Sequence, residues 1–170
     1  LDREQLELPL ADEIKGPTLH FTWWELRCKC INCALLDCNP PPDIRVKVCE
    51  LAKALEVVRE ALGGKPVQIT SGYRCQKHNQ SRQIRGAKLS QHVHGTAADL
   101  TVKGYDGLAL RAVLETLINL GKIPEGGIGT YQELKRLAIV HYDQRRKKAR
   151  WGPATIKPVL QEFLEKKDIW

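Results

Sequence analysis

The stretch SQHVHGTAADL, Ser90 to Leu100, decides the fold. Gly95 lets the chain turn sharply, and Ala97 and Ala98 are small enough to open a buried strand that carries Asp99. Taken with His141 in the downstream segment IVHYDQR, Ile139 to Arg145, His92 and Asp99 complete a donor set of two nitrogens and one oxygen. Zinc accepts such a set as a catalytic site, because three protein ligands leave the fourth tetrahedral position for water. His20 lies outside every motif and His94 lies two residues from a ligand, so neither is expected to bind the metal.

Strand geometry extends the distal motif. With a period of two, His141, Asp143 and Arg145 point to one face, while Tyr142 and Gln144 point to the other. A strand that aims His141 at a metal therefore brings Asp143 close. Asp143 can then orient a ligand histidine, position the water, act as general base, or simply pair with Arg145.

Around these motifs, helices and strands alternate. Thr22 with Glu25 three residues on is a capping pattern for a short helix. Pro40-Pro41-Pro42 makes a stiff spacer, and Asp43 is the expected N-cap of a long helix. Val48, Leu51, Leu55, Val58 and Leu62 form its apolar stripe, and Gly63-Gly64 stops it. Pro66 to Ser71 is expected as a strand leading into Gly72-Tyr73-Arg74, and Asp106 to Leu120 as a second amphipathic helix with Leu108, Val113, Leu117 and Leu120 apolar. Strands are expected at Gly127 to Tyr131 and Leu137 to Asp143, and a last helix from Pro158 to Lys167.

These residues together resemble a known family, the zinc D-alanyl-D-alanine carboxypeptidases and their relatives among murein endopeptidases, phage endolysins and the hedgehog signalling domain. The family pattern is SGYR, then SxHxxGxAxD, then a distal histidine on a strand. Here it corresponds to Ser71-Gly72-Tyr73-Arg74, then Ser90, His92, Gly95, Ala97 and Asp99, then His141. Glu125 to Tyr131 (EGGIGTY) and Ala149 to Trp151 look like the murein-endopeptidase and phage branch. The resemblance implies an α+β fold of the hedgehog/D,D-peptidase type, an antiparallel sheet carrying the ligands with helices packed on one side. It further implies one catalytic zinc, and Arg74, with Tyr73 beside it, binding substrate or steadying the oxyanion. One departure stands out: many members carry Glu or Asp three residues before the distal histidine, where this chain has Ala138. That leaves Asp143, Glu133 and His94, in that order, as candidate proton handlers.

The cysteines pose a separate question. Cys28, Cys30, Cys33 and Cys38 form CxCxxCxxxxC, with Cys49 on the long helix and Cys75 beside Arg74. Such spacing suits a second, structural zinc, an even count of six also permits disulfides in an oxidising compartment, and free thiols are the third alternative.

Composition agrees with one enzyme domain. Of 170 residues, 42% are hydrophobic and 28% charged, and no apolar run is long enough to span a membrane. We expect an N-terminal arm over 1–20 and a single zinc peptidase domain over 21–170 that includes a Cys-rich loop at 28–38. Starting at Leu1 with no methionine, the chain is expected to be a processed or trimmed product acting as a monomer. Its place would be the cell envelope, the periplasm or outside the cell, or on the wall as a phage product. The excess of 27 basic over 20 acidic residues, net +7, favours polyanionic surroundings. Its densest cluster, Arg145, Arg146, Lys147, Lys148 and Arg150, is either a solvated loop or a positive rim to the site. Aromatics are not interleaved with it, so no nucleic-acid partner is expected. The reading is a zinc-dependent peptidase cutting peptidoglycan stems or cross-bridges, with a non-catalytic, hedgehog-like zinc module as the alternative.

Overall fold

The structure, a computed structural model, describes residues 16–30, 39–131 and 139–152. Most of the N-terminal arm, the helix expected at 158–167, Cys33, Cys38, Glu133 and Ala138 lie outside the described residues. Thr22 caps α1 (Trp23–Leu26) as its sequence demands. The Thr22 hydroxyl accepts from the Glu25 N–H at 3.2 Å, and the Thr22 N–H donates to Glu25 Oε2 at 2.9 Å.

The long helix α2 (Pro42–Ala61) begins two residues earlier than expected, with Pro41 rather than Asp43 at the N-cap. Proline suits the first helical position because its fixed φ is already helical and its missing N–H has no intrahelical partner there. Asp43 instead falls in the first turn, where its charge meets the positive end of the helix. The stripe Val48, Leu51, Leu55, Val58 and Leu62 is buried throughout. In α4 (Gly107–Asn119) Asp106 caps the Ala109 N–H at 2.7 Å, and the buried face is Leu110, Leu114 and Leu117. Leu120, expected on that stripe, follows the helix as its C-cap and is 61% exposed.

Five strands form one sheet in the order β1-β2-β4-β3-β5: β1 (Val67–Ser71), β2 (Ala97–Val102), β3 (Gly127–Tyr131), β4 (Ile139–Asp143) and β5 (Ala149–Trp151). The first four are antiparallel, as expected, but β5 pairs parallel with β3, so the sheet is mixed. The cause is a reversal after β4 that passes over β3 to its free edge, with Arg146 at φ +57. Neither β5 nor the single turn α3 (Gln76–Asn79) was expected from the sequence.

One face of the sheet packs on the helices. Val67 and Ile69 from β1, Ala98, Leu100 and Val102 from β2, Ile128 from β3, and Val140 and Tyr142 from β4 join the buried residues of α2 and α4 in a single core. Alternation sends Asp99, His141 and Asp143 to the opposite face. Among the described residues no helix is long and apolar enough to cross a membrane.

Candidate metal centre

Register supplies two of the three ligands. Asp99 and His141 are direct cross-strand partners in the β2–β4 pair, and side chains facing each other across an antiparallel pair lie close enough to touch. His92 arrives from the turns before β2, where Gly95 at φ +71 bends the chain back against α2. Its Nδ1–H donates to the Gly72 carbonyl at 2.8 Å, which leaves Nε2 as a lone pair facing the site.

The three donor atoms form a small triangle. His92 Nε2 is 3.2 Å from His141 Nδ1 and 3.2 Å from Asp99 Oδ1, and His141 Nδ1 is 2.9 Å from Asp99 Oδ1. Tetrahedral zinc with bonds of about 2.0–2.1 Å needs donors about 3.3 Å apart, so the triangle fits the ion with little movement. All three side chains are buried. Among the described residues no fourth His, Cys, Asp or Glu joins them.

A surrounding layer of hydrogen bonds holds each ligand. On the far side of the His141 ring, Nε2–H donates to Asp143 Oδ2 at 2.9 Å, turning Nδ1 toward the other donors. Asp143 is fully buried, and both its oxygens are engaged. Oδ1 accepts from the Gly127 and Arg145 N–H groups, each at 3.1 Å, and Oδ2 accepts from Arg145 Nη2 at 2.6 Å. Burial alone would raise its pKa, but the bonds from His141 and Arg145 outweigh this and hold the carboxyl well below the usual range. Asp99 behaves alike: burial works to raise its pKa, and the two imidazoles drive it down instead. Burial keeps His92 neutral by lowering its pKa. Burial acts on His141 in the same sense, yet the carboxylates of Asp143 and Asp99 raise it.

Arg74 is tied to the site through Asp99. A bulge in β1 after Ile69 shifts the pairing by one residue, so Ser71 faces Asp99 and the chain beyond it swings onto the ligand face. Arg74 Nη2 then donates to Asp99 Oδ2 at 2.5 Å and Nε to Ser71 Oγ at 2.7 Å. Tyr73 is anchored through its backbone N–H to Leu26 O at 2.8 Å, with a half-buried side chain.

Two glycines clear space on β3. A side chain at Gly127 would strike the Asp143 carboxylate, and one at Gly129 would meet the Trp151 ring at 2.1 Å. Trp151 can therefore approach His141, with ring centroids 5.1 Å apart. The sequence offered these residues only as text resembling a family branch, and their role needs the unexpected parallel strand β5. Of the basic cluster, Arg145 is spent on Asp143 and Arg150 on Glu115 and Glu125, whereas Arg146, Lys147 and Lys148 are exposed. His94 is exposed, and His20 pairs with Glu56. Among the described residues, Cys28 and Cys30 come together with Cys75.

Three buried donors of this kind, each held by an outer hydrogen bond, are what a mononuclear metallopeptidase requires. The Peptidase M15 family model matches residues 19–137, well over half of the chain. The chain belongs to that family, the zinc-dependent peptidases of the D-Ala-D-Ala carboxypeptidase type. The match includes His92 and Asp99 and stops short of His141, whose membership of the site rests on the β2–β4 register. No curated protein matches the chain.

Proposed function

We propose that this peptidase is a zinc enzyme that cleaves peptide bonds in bacterial peptidoglycan, in stems or cross-bridges, with His92, Asp99 and His141 as its metal ligands. The observation that carries the reading is the donor triangle of 2.9–3.2 Å, in which the other nitrogen of each imidazole is engaged away from the site. Bound there, zinc would supply Lewis acidity, acidifying water toward a pKa of about 7 and polarising a peptide carbonyl.

The chain's own residues position and protect. Asp143 acts through His141, fixing its tautomer and raising its basicity. Arg74 braces Asp99 and sets a positive charge beside the reacting carbonyl, where a planar fork of donors suits an oxyanion or a substrate carboxylate. Trp151 walls one side of His141. With Asp143 saturated and His94 exposed, Glu133 is the candidate left to handle the proton. The exposed Arg146, Lys147 and Lys148 favour the anionic polymers of the wall, which supports an enzyme acting at or outside the cell envelope.

A second reading, a zinc-holding module without turnover, draws on one observation. Among the described residues the carboxylate next to the ligands is fully buried and already satisfied. One experiment separates the two. Purified sacculi are incubated with the protein, with a chelator, and with the chelator followed by zinc, and the soluble fragments are identified by mass. New amino termini or shortened stems that vanish with the chelator and return with zinc support the peptidase; intact sacculi throughout support the module.

A further inference from the structure

A second cluster of candidate ligands includes Cys75, the sequence neighbour of Arg74. The sulfur atoms of Cys28, Cys30 and Cys75 lie within 4.8 Å of one another. His78 brings Nδ1 to 3.2 Å from Cys28 Sγ. Cys75 is the N-cap of α3 and His78 lies three residues on, a spacing that turns both side chains to the same end of one helical turn. Cys28 and Cys30 leave α1 in extended chain with Lys29 between them, and Lys29 Nζ donates to Ile69 O at 2.7 Å. Two short motifs, CxC and CxxH, thus converge from segments more than 40 residues apart.

We propose that Cys28, Cys30, Cys75 and His78 bind a second zinc ion, a closed site that locks the segment after α1 to the turn after β1. Three soft thiolates and one imidazole are a zinc donor set, and four protein ligands leave no position for substrate. The surroundings suit thiolates. Cys28 Sγ accepts from the Cys75 N–H at 3.3 Å, and Cys75 Sγ accepts from the His78 N–H at 3.4 Å, bonds that stabilise negative sulfur. Cys28 is 2% exposed, and burial pushes its thiol up to about 11 in the absence of metal. Binding must therefore expel protons, as thiolate sites do. Burial lowers the pKa of His78, keeping the ring neutral for coordination.

The site has a consequence for the first centre. Cys75 adjoins Arg74, whose guanidinium braces Asp99, so the second ion would hold the backbone from which that brace extends. Cys28 and Cys30, expected to act with Cys33 and Cys38, are joined by Cys75 from a second segment, while Cys33 and Cys38 lie outside the described residues.

The test does not depend on peptidase activity. The full chain is prepared reduced, as wild type and as a His92→Ala, His141→Ala double variant, then stripped and loaded with cobalt(II) or zinc. Two zinc ions are expected in the wild type and one in the double variant, and the double variant should keep a near-ultraviolet thiolate-to-cobalt charge-transfer band. Cys30→Ser and, more mildly, His78→Ala should weaken that band. Because cysteine variants can fail to fold, the folded wild type supplies an independent readout, in which a thiol-specific mercurial should release one of the two zinc ions. The proposal is overturned if cobalt-loaded protein shows no thiolate band, if the double variant holds no zinc, or if the unreduced protein has the mass of a disulfide joining two of these cysteines.

Discussion

His141 Nε2 lies 2.9 Å from Asp143 Oδ2, on the side of the ring away from His92 and Asp99. The pair is two residues apart on β4, so the pleat alone makes them neighbours, and the bond decides which nitrogen His141 offers to a metal. Asp143→Asn keeps the shape but no longer insists on an N–H at Nε2. We expect zinc affinity to fall about 10–100-fold, the usual scale for losing such a partner. Excess zinc should recover much of the activity. A competition titration with a chromophoric chelator measures the first effect. Unchanged affinity with activity lost at saturating zinc would instead make Asp143 a proton handler.

Arg74 is the second test. Since its guanidinium spans Ser71 and Asp99, Arg74→Ala should lower zinc affinity as well as turnover, while Arg74→Lys retains charge but not the fork and should fall between. Full zinc retention at low free zinc in Arg74→Ala would assign the residue to substrate alone.

Much of this arrangement is legible in the sequence, and the reasons are physical. His92, Asp99 and His141 stand out because few side chains bind zinc, and the pairing of Asp99 with His141 follows from two strands that alternate apolar and polar faces. The stripe of α2 is equally plain at helical spacing. Strand β5 is not, because a three-residue segment in a basic stretch, Ala149-Arg150-Trp151, has no period to detect and is placed by the edge of β3. The partner of Cys28 is hidden for a similar reason, since Cys75 comes near only once β1 and α1 pack together. The first turn of α2 shows a local competition: Asp43 is a good cap, yet two prolines before it are already set for helix entry.

Proton linkage gives a third prediction. In the metal-free protein His141 has a raised pKa and His92 a lowered one, so the pair holds one proton, on His141, between two carboxylates. A raised folded-state value means that this proton's contribution to stability is complete below the unfolded pKa of about 6.5. It is lost as pH climbs through the folded value. Zinc must expel the proton. Calorimetry at the first centre at pH 6, below the range in which zinc-bound water ionises, in buffers of different ionisation enthalpy should show release near one proton per ion. Release near zero at pH 6 would contradict the assignment.

Gly129 tests the wall of the site. A methyl group there would enter the Trp151 ring, so Gly129→Ala should displace the indole from His141 and cost about 1–3 kcal/mol as overpacking. Denaturation midpoints and tryptophan fluorescence report the two effects. Wild-type stability and spectrum would mean that Trp151 does not sit against β3.

Anomalous diffraction at the zinc absorption edge, from crystals of the full chain grown with zinc, tests the first centre most directly. We expect a peak about 2.0–2.2 Å from His92 Nε2, His141 Nδ1 and Asp99 Oδ1, whether or not a second peak marks the cysteines. Zinc density at the cysteines alone, with the His92, Asp99 and His141 side chains bonded only to one another, would contradict the account.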